Sequence, residues 1–158
     1  MRVVRDRLAT VAAAGALDVA DLGVLRGELG AVEAALMADE SPLVVAHGDL
    51  HSGNVVVGPD GPRLVDFDLI SLAPATWDLS PLRVQVRRFG RPSTAWDQLL
   101  SGYGERLEPS EALLRLRELG ASSWLAALSV ARPELGGEVL RRMRYWRGEE
   151  GAPVWRAV

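Results

Sequence analysis

The chain has 158 residues, 48% hydrophobic and 25% charged, with a net charge of -3, which suits one folded domain over residues 1–158 with a real core. A pI near 5.4 leaves no basic face to neutralise a phosphate backbone, so nucleic acid is excluded as a partner. The chain has no cysteine, which removes disulfides, thiolate metal sites and a Cys nucleophile, and every basic residue is Arg, so a mechanism that needs lysine cannot take it from this chain.

The N-terminus, Met1-Arg2-Val3-Val4-Arg5-Asp6-Arg7, carries charge through its apolar start and has no signal-peptide pattern. No apolar run approaches the roughly 20 residues that span a bilayer, so no membrane is expected and a cytoplasmic location is. Val4, Leu8 and Val11 fall at helical spacing and predict a first helix ending near Gly15. Asp18 reads as the N-cap of a second, with Asp21 three residues on as a capping-box-like partner. Leu22, Leu25, Leu29, Val32 and Leu36 form its apolar stripe.

Ser41-Pro42 ends that helix, and Leu43-Val44-Val45-Ala46 reads as a short buried strand. Val55-Val56-Val57 and Arg63-Leu64-Val65 flank Gly58-Pro59-Asp60-Gly61-Pro62, a turn, and hence form a small β-hairpin. Beyond residue 70 the pattern is helical to the end. Thr76 is expected to cap a helix carrying Leu79, Leu82, Val86 and Phe89, and Ser93 or Thr94 one carrying Trp96, Leu99, Leu100 and Tyr103. Pro109 opens a third with Leu113, Leu116, Trp124 and Leu128 inward, and a last helix carries Val139, Met143 and Trp146. Five Trp against two Phe read as core and interhelix packing. Arg141-Arg142-Met143-Arg144 reads as a solvated helix face, and Glu149-Glu150 as a solvated C-terminal turn. The fold class is α+β, mainly α-helical.

The chemistry is concentrated between residues 47 and 68. His47-Gly48-Asp49-Leu50-His51-Ser52-Gly53-Asn54 and Leu64-Val65-Asp66-Phe67-Asp68 hold three Asp, one Asn and both histidines of the chain. The hairpin carries Asn54 at one end and returns Asp66 to it. Three readings fit such a cluster. Metal-assisted phosphoryl transfer uses one carboxylate to position an attacking hydroxyl and oxygen ligands for Mg²⁺; Asp49 and Asn54, five apart, with Asp66 at the hairpin's return, have that layout. A dinuclear metallophosphatase would use Gly48-Asp49, His51 and Gly53-Asn54, but has only two histidines to draw on. An aspartate-nucleophile phosphatase would use Asp66-Phe67-Asp68 at a strand end, but lacks the further strands of a doubly wound sheet. Each residue also has a plainer role: Asp49 as a turn former, His47 as a backbone hydrogen-bonder, and Asp78 as an acidic residue in the first turn of a helix.

On these residues the chain resembles the aminoglycoside phosphotransferase and choline kinase family. His47–Asn54 is similar to that family's catalytic loop, Leu64–Asp68 to its metal-binding motif, and Trp77-Asp78-Leu79 to an element whose Asp braces the loop; Tyr103-Gly104, Arg117-Glu118-Leu119 and Trp124 are similar to its helical tail. Ser52 stands where the family commonly has Pro. The resemblance implies a protein-kinase-like fold, of which this chain is the large, C-terminal lobe. It implies transfer of the ATP γ-phosphate to a hydroxyl of a small molecule, with Asp49 as catalytic base, Asn54 and Asp66 as Mg²⁺ ligands, Asp68 as an auxiliary acidic group, and His47 and Asp78 as structural braces. It also implies an absent small lobe, which would supply a phosphate-covering loop and the Lys that pairs with the ATP phosphates, from a separately encoded partner or a longer chain. The rival expectation is a catalytically silent or regulatory remnant of the fold. Asp97, Glu105, Glu108 and Glu111 suit a cationic sugar and are equally ordinary on a helix surface.

Overall fold

The computed structural model describes residues 1–149, 151 and 153–158; of the acidic pair near the C-terminus, Glu150 lies outside the described residues. The architecture is α+β and mostly helical. In order come α1 (Arg2–Ala13), α2 (Val19–Met37), β1 (Leu43–Ala46), β2 (Val55–Gly58), β3 (Gly61–Leu64), β4 (Ser71–Pro74), α3 (Ser80–Arg88), α4 (Thr94–Tyr103), α5 (Glu111–Ser129) and α6 (Gly136–Trp146). Single 3-10 turns lie at Ser52–Asn54, Ala75–Trp77 and Pro133–Leu135. No helix among the described residues is long and apolar enough to cross a membrane.

The caps explain where the long helices start. Asp18 accepts a hydrogen bond from the Asp21 amide at 2.7 Å, and Ser110 accepts one from the Leu113 amide at 3.3 Å, each satisfying one of the free N–H groups of a first turn. The Asp21 side chain does not reach back to complete a capping box; it accepts from Arg147 at 2.7 Å and ties α2 to the end of α6. Helix α5 is the hub, packing on α1, α2, α3 and α6. Val4, Leu8 and Val11 of α1, Leu25 and Leu29 of α2, Leu119 and Leu125 of α5, Met143 and Trp146 of α6, and Trp155 of the tail close one core. Complete burial of a side chain such as Leu25 or Leu125 contributes about 2 kcal/mol.

Two antiparallel ribbons are formed by the segment between α2 and α3. The predicted hairpin is β2–β3, with Val55 opposite Leu64 and Gly58 opposite Gly61. The other ribbon pairs β1 with β4, Ala46 opposite Ser71 and Val45 opposite Leu72. Strand β4 interrupts the stretch expected to be helical from residue 70 onward. Strand β1 is also not buried: Leu43, Val44 and Val45 are all exposed, and only Ala46 faces inward.

Several helix expectations change in detail. Thr76 lies in a 3-10 turn, and α3 begins at Ser80, whose hydroxyl donates to the Trp77 carbonyl at 2.7 Å. Trp96, Trp146 and Trp155 are core residues, but Trp124 stands in solvent at 42% exposure. The Arg141–Arg144 run is not a solvated face throughout. Arg142 is buried against Glu138 (3.1 Å), donates to the carbonyls of Ala121 and Arg156 (3.0 Å each), and lies over the Trp155 ring. It pins the C-terminal segment to α5 and α6.

Candidate active site

The loop between β1 and β2 is held by its own backbone. Asp78, just before α3, accepts hydrogen bonds from the amides of His47 (2.7 Å) and Gly48 (2.9 Å), one on each carboxylate oxygen. The Trp77 indole N–H donates to the Gly48 carbonyl at 3.4 Å. Buried His47 contacts the Val65 carbonyl through Nε2 at 2.9 Å, and its ring lies 4.8 Å from that of Phe67. A carbonyl only accepts, so Nε2 carries the proton; Nδ1 is buried without a partner. His47 thus ties the loop to the segment after β3, which carries Asp66 and Asp68.

Asn54 is buried and donates through Nδ2 to the Asp49 carbonyl at 2.9 Å. That bond fixes the amide so that Oδ1 is the atom left to accept or ligate. The Asn54 carbonyl accepts from the Val65 amide at 3.1 Å, so the hairpin pairing continues one residue beyond the strands and sets Asp66 next in line. The structure therefore brings Asp49, Asn54 and the backbone leading into Asp66 to one end of the hairpin. Asp66 is the only non-glycine residue with positive φ, 65°, among the described residues. Both Asp66 and Asp68 are exposed, and neither side chain makes a hydrogen bond among the described residues.

Asp49 itself is exposed, with its carboxylate 3.7 Å from His51 Nε2. His51 Nδ1 accepts from the Gly53 amide at 3.0 Å, so the proton of a neutral ring sits on Nε2, facing Asp49. Part of the loop's backbone is thus bonded to Asp78, Trp77 and Asn54, while the Asp49 carboxylate is exposed beside His51. Gly48 permits this arrangement. Its φ is +91°, and a Cβ there would lie 2.1 Å from the Leu69 carbonyl oxygen. Gly48→Ala is expected to push the 65–70 segment off the loop and cost about 3 kcal/mol, combining left-handed strain with overpacking; denaturant unfolding measures it, and a loss under about 1 kcal/mol would show that the segment yields.

Arg117 is the site residue that composition and motif left without a role. On α5 it stacks over Trp77, 4.3 Å from the ring centroid, and donates to Ser80 Oγ and the Trp77 carbonyl at 3.0 Å each. Burial lowers its pKa, and the carboxylates of Asp78 and Asp49 oppose that shift. The sequence did hold a signal: Arg117 falls four residues after Leu113, on the inward stripe of α5.

Among the described residues no group of three or more His, Cys, Asp or Glu is arranged to hold a metal ion. A dinuclear cage therefore does not fit. One amide oxygen and one carboxylate fit Mg²⁺ better, because that ion usually takes one or two protein carboxylates and completes its shell with waters and substrate phosphates. Two separate antiparallel ribbons also differ from the doubly wound sheet that an aspartate-nucleophile phosphatase would require.

A model of the phosphotransferase enzyme family matches residues 2–119, from α1 into α5 and across all six predicted site residues. The chain belongs to that family. The resemblance read from the loop motifs is thus a family relationship, and for this phosphotransferase family member it extends back through α1 and α2, where no motif pointed to it. No curated protein and no solved structure matches the chain.

Proposed function

We propose that this family member acts in transfer of the γ-phosphoryl group of ATP to a hydroxyl of a small molecule, as the large lobe of a kinase-like fold. Asp49 orients the acceptor hydroxyl and takes its proton. The acceptor oxygen bonds to the γ-phosphorus, the bond from phosphorus to the β–γ bridging oxygen breaks, and ADP leaves with that electron pair. Asn54 Oδ1 and Asp66 would hold Mg²⁺, which neutralises phosphate charge when bound, with Asp68 as a further acidic group close by. Asp78 and His47 keep the loop in register with the segment that carries Asp66. The observation that carries this reading is the end of the hairpin, where Asn54 is bonded to the Asp49 carbonyl and to Val65 while the exposed Asp49 carboxylate makes no hydrogen bond within the loop.

The chain has no lysine to place on the ATP phosphates, so that cation would come from another polypeptide segment. Exposed Val45, Phe67, Leu69, Ile70 and Leu72 surround the polar loop with an apolar surface that such a segment, or the nucleotide base, would cover.

Calorimetry of the 158-residue protein with Mg-ATP tests the reading. Weak, Mg²⁺-dependent binding in the millimolar range is expected, and Asp66→Ala should remove it. Micromolar affinity would contradict the need for a further cation. No binding at millimolar ATP would favour the catalytically silent reading.

A further inference from the structure

A cavity of about 490 Å³ opens beside Gly48 and Asp49, between α1, the loop and α5, within the size range of small-ligand sites. Its charge is unlike that of a site for a polyamine. Asp49 is the one carboxylate among the described residues that line it, and two guanidinium groups, Arg7 and Arg117, line it as well. Arg117 is a fixed cation, held by Ser80, the Trp77 carbonyl and the Trp77 ring. Two N–H donors of its fork are committed there, and a guanidinium has five.

The acidic residues of the later helices are engaged elsewhere. Glu108 pairs with Arg83 at 2.5 Å, and Glu111 pairs with Arg87 through two bonds of 2.6 and 2.7 Å. Asp97 and Glu105 line a different cavity beside α4. None of these four lines the cavity at Asp49. A ligand with several ammonium groups would meet two cations and only the single carboxylate that must accept a proton.

The walls supply the other half of the specificity. Leu69, Leu116 and the two indoles of Trp77 and Trp124 give the cavity apolar, flat surfaces. Trp124 is 42% exposed, although its neighbour Leu125 is fully buried, so its indole presents a face on which an aromatic or similarly flat ligand can stack.

We propose that the acceptor bound here is a flat, largely apolar alcohol carrying a negative group, stacked on Trp124 with its anion toward Arg7 and Arg117. This names the substrate class for the phosphotransfer reading and rests on Asp49 being the base. The test is ligand-observed NMR titration of the full chain, without nucleotide, using 4-(hydroxymethyl)benzoate, benzyl alcohol and kanamycin as probes. The benzoate should bind in the millimolar range, about fivefold more tightly than benzyl alcohol, the upper end for one partly screened charge contact, and kanamycin should show no saturable binding. Trp124→Ala should weaken the benzoate at least about fivefold, the low end for loss of an aromatic stacking partner, and Arg7→Glu should remove its advantage over benzyl alcohol. Tighter binding of kanamycin, no binding of the benzoate, or unchanged binding in Trp124→Ala would each overturn the assignment. If the benzoate binds as expected but calorimetry detects no Mg-ATP binding at millimolar nucleotide, the phosphotransfer reading falls and the cavity's ligand class stands.

Discussion

In an enzyme completed by the segment that supplies the phosphate-pairing cation, Asp49→Asn is expected to reduce phosphoryl transfer by about 10²- to 10⁴-fold, the range for loss of a positioned general base, with the fold intact. The isosteric amide cannot take the acceptor's proton, yet the variant keeps every hydrogen bond of the loop. Asn54 uses the Asp49 carbonyl, not its side chain, and Asp78 uses the amides of His47 and Gly48. The side-chain interactions lost are the 3.7 Å approach to His51, which is exposed and worth little, and the charge attraction to Arg117. The measurement is the ratio of wild-type to variant rate at saturating Mg-ATP, read beside thermal unfolding of both proteins. A ratio near one would remove Asp49 from the mechanism, and a large drop in unfolding temperature would make it a structural residue.

The largest expected effect on stability lies away from the loop. Glu118, on α5, is fully buried and accepts from Arg88 at 2.7 and 3.2 Å and from Tyr145 at 3.2 Å, with Arg87 also within 3.1 Å. Arg88 is equally buried and lies 4.2 Å from the centre of the Tyr145 ring. Glu118→Ala would leave a guanidinium in the interior without its counter-charge, at a cost of about 3–5 kcal/mol. For a chain of this size that corresponds to a fall in melting temperature on the order of 10 °C. The companion variant Arg88→Met with Glu118→Leu should recover at least half of the loss, because replacing a buried ion pair by apolar groups is commonly neutral or better. Denaturant unfolding of the single and double variants decides it. A double variant as unstable as the single one would show that Tyr145 and Arg87 depend on Glu118 as strongly as Arg88 does.

The helices, the β2–β3 hairpin and the polar loop were legible in the sequence because each follows from local periodicity or turn chemistry. The pairing of β1 with β4 was not. Ser71-Leu72-Ala73-Pro74 has one large apolar side chain and a Pro, and its partner lies more than 25 residues earlier. Of the buried charges, Arg142 was misread as solvated, and the burial of Arg88 and Glu118 went unread, for a related reason. Arg88 and Glu118 are 30 residues apart, and each alone looks like helix surface. Only their spacing of four from buried Val84 and Leu114 marks them as inward. Trp124 failed in the opposite direction: its size predicted the core, and it stands on a cavity wall. The motif residues of the loop were readable as a set, because their spacing is matched across a hairpin, but their electrostatic neighbour Arg117 comes from a helix nearly 70 positions later.

The backbone at Asp66 has a consequence for how this protein could change. A left-handed conformation suits glycine best and asparagine or aspartate next, and a non-glycine residue bears a penalty on the order of 1 kcal/mol. The substitution that would relieve it, Asp66→Gly, is one that deletes the carboxylate. A search for more heat-resistant variants, blind to activity, would be drawn to this position and would remove the carboxylate proposed to hold Mg²⁺. Retaining Asp at φ 65° therefore sets thermal robustness against chemistry at a single residue.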